Sequence, residues 1–127
     1  MSGAIDMQLE QLQERFVEAD IQRLASGTRL VTVPKVILPV GWSQPSTVIR
    51  FLIPPGYPYA QLDCFWADCG LRLAGGGLPQ NSQAMAIPEA DIMGWWFSWH
   101  LNGAWDANRD TLSSWMNVIL ERLKEAR

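Results

Sequence analysis

The stretch VIRFLIPPGYPYAQLDCFW, residues 48–66, decides the fold of this chain. It begins as a strand of β-branched and aromatic residues, breaks at Pro54-Pro55-Gly56, and resumes as an apolar run. Proline fixes φ and removes a backbone donor, so strand pairing cannot continue through the break. The ring of Tyr57 is expected to plug the end of the sheet. A short connection between two strands favours an antiparallel sheet, because parallel strands need a long crossover.

The residues before this stretch predict one helix and further strands. Helical spacing of apolar residues predicts a helix over 6–25, which begins at Asp6 and ends at Ser26-Gly27, where Gly27 takes the left-handed conformation. Short β-rich runs predict a four-stranded meander. The predicted strands are 28–33, 35–40, 46–53 and 62–67. Pro34 and Pro39 predict that the strand over 35–40 is an edge strand or contains a bulge.

The residues after the meander predict a long loop and a closing helix. Residues 68–94 contain a glycine triplet, two prolines and little periodicity, which is typical of a functional or mobile loop. A second helix is predicted over 110–125, capped by Asp110 or Thr111. Its expected buried stripe is Leu112, Trp115, Met116, Ile119 and Leu123. Helices separated from an antiparallel sheet indicate the α+β class.

Composition excludes several kinds of protein. The 127 residues are 48% hydrophobic and 18% charged, as in an ordinary globular chain. We expect one domain over 1–127, with residues 1–6 open to being an added or disordered extension. The net charge of −3 argues against nucleic acid as a partner. Neither a membrane-spanning run nor a secretion signal is visible, so we expect a cytoplasmic protein.

The cysteines and the single histidine predict no metal site. Cys64 and Cys69 with His100 cannot supply a zinc ligand set at the usual spacing. Two reduced thiols, one of them buried, are the expected arrangement for these cysteines in the cytoplasm. No cofactor is predicted within this chain.

The segment FSWHLNGAWDANRDTL, residues 97–112, places polar side chains between tryptophans. Tryptophan left in water forfeits roughly 1.5–3 kcal/mol of burial, so this segment is expected to pack on the domain. In an extended segment Ser98 and His100 point to one side and Trp99 points to the other. The tryptophans then anchor the segment as core or lid, while the polar residues between them form a candidate site.

Residues 48–66 and 95–123 resemble the ubiquitin-conjugating enzymes. The Tyr57-Pro58 turn between two strands is similar to the turn between the third and fourth strands of that family. Trp105, the short turn after it and the leucine-rich closing helix resemble the part that follows the family's active site. The resemblance spans residues 6–125 and is closest to the compact prokaryotic branch, because the chain stops after its second helix.

The resemblance implies a bacterial protein that works beside an activating enzyme and a ubiquitin-like modifier. It also implies a metal-dependent deconjugating protease in the same operon and, at the family level, a setting in antiviral defence. The N-terminal helix would dock the activating enzyme through its polar face, with Glu10, Glu14 and Arg15.

The chain departs from the family at the nucleophile. The family places its cysteine about eight residues before the tryptophan that corresponds to Trp105, after a His-Pro-Asn motif. Here no cysteine precedes Trp105 closely, and Ser98 stands seven residues before it. Ser98 is the candidate nucleophile, His100 its general base, and Asn102 a donor to the developing oxyanion. The intermediate would be an oxyester.

Several alternatives stay open. Cys69 is a second candidate nucleophile, because a thiolate is the better acyl acceptor. Ser98 could be a surface polar residue and His100 a structural one, while Asn102-Gly103 forms a turn. Asp106 and Asp110 could orient His100, although turn and cap roles fit them better.

Three functions compete. The first is an acyl carrier, a transferase that accepts a modifier C-terminus and passes it to an amine. The second is a non-catalytic binding module of the conjugating-enzyme or RWD type, which the missing cysteine favours. The third is a hydrolase, against which the absence of a Gly-x-Ser-x-Gly elbow at Ser98 argues.

Overall fold

The computed structural model describes residues 4–57, 59, 62, 64–98, 106 and 110–127. This part of the chain has two helices, α1 (Ala4–Arg15) and α2 (Leu112–Lys124). It also has six strands, namely β1 (Asp20–Arg23), β2 (Arg29–Ile37), β3 (Ser46–Ile53), β4 (Phe65–Ala67), β5 (Ser82–Ile87) and β6 (Ile92–Phe97). All neighbouring strands pair antiparallel, in the order β1-β2-β3-β4-β6-β5. The α+β class with a helix at each end is confirmed, but the predicted count of four strands is wrong.

The N-terminal helix is shorter than the predicted 6–25. It begins at Ala4 and ends at Arg15. Asp20–Arg23 forms a hairpin with β2, in which Gly27, with φ of 93°, makes the turn. Gly27 thus has the predicted conformation in a different structural role. A short apolar segment fits both periodicities, and here pairing with β2 satisfies the backbone groups.

The predicted strands 28–33 and 35–40 are one strand, β2. Its register with β3 shifts between Val33 and Val36, and Lys35 has φ of 58°. The bulge accommodates Pro34, which lacks a backbone donor. The predicted bulge is therefore correct, whereas the predicted break into two strands is wrong.

The predicted loop 68–94 contains β5 and the start of β6. Six residue pairs join the two strands, from Ser82↔Phe97 to Ile87↔Ile92. Glu89 and Asp91 take positive φ in the turn between them. The small and polar residues of β5 give a weak strand signal, and β5 forms because it pairs with β6 at the sheet edge. The predicted strand 62–67 is shorter in the structure, where β4 comprises Phe65–Ala67.

The sheet has a core on each face. The larger core lies on the helix side and includes Leu12 of α1 and Phe51 of β3. The complete predicted stripe of α2 is buried there, with Leu112, Trp115, Met116 and Ile119 at 0% exposure and Leu123 at 2%. The back face carries a smaller core of Leu24, Leu30, Trp66 and Ile87.

The two ends of the sheet meet over the back face. The Glu89 carboxylate accepts hydrogen bonds from the Ser26 backbone N–H (3.1 Å) and from the Ser26 hydroxyl (2.7 Å). These bonds join the β1–β2 turn to the β5–β6 turn, although β1 and β5 are the outer strands. The sheet is therefore strongly curled, and the curl buries the smaller core.

Neither helix in the described part of the chain is long and apolar enough to cross a membrane.

We expect Gly94→Ala to destabilise the fold because β6 passes close under the Trp66 indole. A Cβ at Gly94 would lie 3.1 Å from Trp66 Cδ1 and 3.2 Å from the Ala67 oxygen. Overpacking of this kind lowers the free energy of unfolding by about 1–3 kcal/mol, measurable by urea titration. Gly75→Ala is the matched control, since a Cβ there meets nothing within 4 Å. Equal midpoints for the two variants would contradict the close packing.

Candidate functional site

The candidate site begins where β6 ends. Ser98 follows the last residue of that strand, and its backbone N–H donates to the Asn81 oxygen at 2.8 Å. This bond continues the β5–β6 ladder by one residue, so the Ser98 backbone is held in place. The side chain is exposed to solvent. Ser98 is therefore an accessible hydroxyl on a fixed backbone.

The residue before Asn81, Gln80, is in turn held by the end of α2. Arg122 is 3% exposed, and its guanidinium donates to the Gln80 oxygen at 3.1 Å and to the Arg127 oxygen at 2.7 Å. The same guanidinium lies 5.1 Å from the centroid of the Phe97 ring. Arg122 thus ties both strands beside Ser98 to α2. Burial, together with Arg127, lowers the pKa of Arg122 from its usual range.

Five of the predicted site residues lie outside the described residues. They are Pro58, Trp99, His100, Asn102 and Trp105. The predicted Ser98–His100 arrangement, with Asn102 as an oxyanion donor, therefore stays a prediction.

Tyr57 is buried at the sheet end, as expected, with 7% exposure. Its hydroxyl donates to Gln8 Oε1 of α1, and the same oxygen accepts the Leu112 N–H at 3.0 Å. One side-chain oxygen of α1 therefore joins the proline-bearing turn to the first residue of α2. Sequence reasoning missed Gln8, because a glutamine on a helix carries no sign of which groups it will meet.

The N-terminus of α2 is held by local hydrogen bonds. Thr111 is the N-cap, and its side chain and Ser114 form a reciprocal capping box. Just before it, Asp110 Oδ2 accepts the Asp106 N–H at 2.8 Å, while the Asp110 N–H donates to the Asp106 oxygen at 2.7 Å. Asp106 and Asp110 thus form a turn before α2. Of the two predicted caps, Asp110 and Thr111, the structure has Thr111.

Cys69 and Ser98 lie at opposite ends of the β4–β6 ladder. The register pairs Phe65 with Phe97 and Ala67 with Trp95. Ser98 follows Phe97, whereas Cys69 lies beyond Ala67 at the other end. At about 3.3 Å per residue the two positions are roughly 15 Å apart along the strands. Cys69 is exposed and reduced. The fold therefore does not bring these two candidate nucleophiles together.

The tryptophans around the site include core residues, as predicted. Trp95 is 5% exposed and Trp115 is 0% exposed, whereas Trp96 is half-buried. The Arg72 guanidinium lies 4.0 Å from the Trp95 ring centroid. Trp95 and Trp115 thus stabilise the sheet and α2 on either side of the segment.

The predicted partner-binding residues divide into two groups. Glu10 and Glu14 are exposed on α1. Arg15 donates instead to Ser113 Oγ at 2.8 Å and to Asn117 Oδ1 at 2.7 Å, both on α2. Arg15 thus joins the two helices and is itself exposed, so all three predicted residues are accessible charges.

Tyr57 should make stability fall at high pH. Burial, with a further contribution from the Asp110 charge, raises its pKa from 10.0 to about 12, although the Gln8 hydrogen bond opposes the shift. The unfolded chain releases the phenolic proton above pH 10, while the folded protein keeps it until about pH 12. The free energy of unfolding of the wild type should therefore fall by roughly 1–2 kcal/mol, relative to that of Tyr57→Phe, as the pH rises through this window.

Urea unfolding of both proteins at pH 8 and pH 11 measures this difference. Tyr59→Phe is the matched control, because Tyr59 is 85% exposed, and it should follow the wild type. If the wild type and Tyr57→Phe differed in free energy of unfolding by the same amount at both pH values, the burial of this phenol would be contradicted.

Comparison with models of known protein families identifies the family of this chain. Residues 7–126 match the family model described as Prokaryotic E2 family E. No curated protein and no solved structure matches the chain. The match covers both helices, except the first residues of α1, and every described strand. The chain belongs to Prokaryotic E2 family E, a prokaryotic branch of the ubiquitin-conjugating enzyme fold.

Proposed function

We propose that this protein is an acyl carrier for a ubiquitin-like modifier, with Ser98 as its nucleophile. Family membership implies interaction with a modifier and an activating enzyme. The observation that carries the proposal is the exposed Ser98 hydroxyl on a backbone fixed by β5 and β6. A nucleophile must meet its acceptor in one geometry, and a residue whose backbone is hydrogen-bonded at the end of an inner strand meets that requirement.

In the proposed reaction Ser98 Oγ attacks the activated C-terminal carbonyl of the modifier. A C–O bond forms, the bond to the activating enzyme breaks, and the hydroxyl proton passes to His100. Asn102 donates to the oxyanion that develops at the carbonyl. An amine of the target then attacks the oxyester and releases Ser98. ATP is consumed upstream, so this chain needs no cofactor for the transfer.

The setting we propose is a cytoplasmic bacterial conjugation operon, in which a metal-dependent protease removes the modifier. Glu10, Glu14 and Arg15 on α1 are the proposed contacts with the activating enzyme. Cys69 is the alternative nucleophile, at the far end of β4. A carrier that used Cys69 would form a thioester instead of an oxyester.

We expect Ser98→Ala to abolish the reductant-resistant adduct of this protein. The wild type is incubated with the ubiquitin-like protein, the activating enzyme encoded beside it, and ATP, and the product is separated on a gel. The adduct should resist thiol reductant and break in mild base, as an oxyester does. His100→Ala should slow its formation about 10²-fold or more, the usual contribution of a general base.

Ser46→Ala is the matched control, a half-exposed serine at the start of β3, well away from Ser98. It should load like the wild type. A reductant-sensitive adduct that disappears in Cys69→Ala would move the nucleophile to that cysteine. A loaded activating enzyme that passes nothing to any variant would instead support the binding module.

A further inference from the structure

The β4–β6 register brings a second nucleophile to Ser98. Phe65 pairs with Phe97, so one further step along the antiparallel ladder places Cys64 opposite Ser98. Both residues are on the back face, because Phe65 and Phe97 point into the helix-side core and side chains alternate. Cys64 packs beside the back-face core and is half-buried. The sequence separates these residues widely, and the sheet brings them together.

The hydrogen bonds of Ser98 indicate how close the pair is. Its N–H donates to the oxygen of Asn81, the residue just before β5, which leaves Ser98 in a non-hydrogen-bonded position on the β4 side. In antiparallel sheets such pairs have Cα atoms about 4.5 Å apart, with their side chains next to each other. The Cys64 sulfur and the Ser98 hydroxyl can therefore reach the same carbonyl carbon.

An arginine on the same face favours negative charge at this position. Arg50 pairs with Trp66, two residues along β4 from Cys64, and is thus diagonal to Cys64. Its Nε is buried, and among the residues that the structure describes it has no hydrogen-bond partner. A buried guanidinium donor left unsatisfied stabilises a polar or negatively charged group that binds beside it on this face.

We propose that Cys64 is a thiol relay, which accepts the acyl group first and passes it to Ser98. The inference rests on the proposed function of Ser98 as the carrier. A thiolate is a far better nucleophile than a serine hydroxyl, so Cys64 would capture the acyl group faster. An oxygen ester is more stable than a thioester, so the second transfer runs downhill.

Each step exchanges one acyl bond and involves no oxidation. In the first step Cys64 Sγ attacks the thioester of the donor. The new C–S bond forms, the donor C–S bond breaks, and the donor sulfur takes the thiol proton. In the second step Ser98 Oγ attacks the Cys64 thioester. The C–O bond forms, the C–S bond breaks, and the hydroxyl proton passes to the Cys64 sulfur.

The juxtaposition is tested first by Ser98→Cys. A pair at this separation is within the Cα range of disulfides, about 4.4–6.8 Å. Under mild oxidation a disulfide between positions 64 and 98 should form and be identified by peptide mapping. Ser46→Cys is the control and should form no bridge to Cys64, since it lies at the other end of β3. Failure of Ser98→Cys to form the bridge would overturn the proposed pairing.

The relay is tested with two acyl donors, the loaded activating enzyme and a fluorescent peptide thioester. Ser98→Ala should trap a reductant-sensitive adduct on Cys64, whereas the wild type ends with a reductant-resistant one on Ser98. Cys64→Ala should load Ser98 at least about tenfold more slowly, because it keeps only the weaker nucleophile. Mass spectrometry of the tryptic peptides assigns each adduct.

The outcomes separate the relay from the carrier function. Peptide transfer through Cys64 to Ser98 without modifier loading would support the relay and refute the proposed carrier. Wild-type loading rates in Cys64→Ala, with no adduct on Cys64 in Ser98→Ala, would overturn the relay and leave the carrier. A thiol adduct on Cys69 alone, or no adduct from either donor, would also overturn the relay.

Discussion

The alternation of side chains along β6 is the constraint on which the site depends. Trp95 and Phe97 must be buried on the helix side, where Phe97 stacks on Phe65 with ring centroids 4.8 Å apart. Shifting the strand by one residue would expose both rings and bury Ser98 in their place. Aromatic packing therefore assigns Ser98 to the back face. The same packing sets the register that aligns β4 with β6.

The segment that follows Ser98 is held at both of its ends. At its start, Arg122 and Asn81 tie the ends of β5 and β6 to α2. At its far end, Gln8 and the Thr111 cap fix the beginning of α2 against α1 and Tyr57. The described residues on both sides of this segment are therefore held against the two helices and the sheet.

The curled sheet gives the two faces different roles. The helix side carries the larger core and both helices, and it supplies most of the burial. The back face has a small core, closed by the Ser26–Glu89 bonds, and beside it lie polar groups such as Cys64 and Arg50. In the proposed carrier the chemistry occurs on this second face, while the first supplies the rigidity that the chemistry needs.

Sequence reasoning could predict the elements whose signals are local. The stripe of α2, a cap at Asp110 or Thr111, the burial of Tyr57 and an edge or bulged strand at Pro34 follow from side-chain spacing and proline geometry. The structure has the stripe, the Thr111 cap, the buried Tyr57 and the bulge. Sequence reasoning failed at β1 and β5, because both are outer strands whose formation depends on a neighbour. Ser98 was chosen as the candidate nucleophile by its position before Trp105. For Gln8, Asn81 and Arg122, no local sequence pattern indicates the contacts that they make.

The sequence by itself determined the α+β class, the antiparallel pairing around 48–66 and the stripe that α2 buries, since hydrophobic period and turn chemistry are local properties. Tertiary structure alone decided that β6 lies between β4 and β5, that Cys69 is remote from Ser98, and that Phe65, the residue after Cys64, pairs with Phe97, the residue before Ser98. These are contacts between residues far apart in sequence. Such contacts form where the helices and strands, once made, still have unpaired backbone groups or exposed apolar faces. The local sequence does not show which of these will meet.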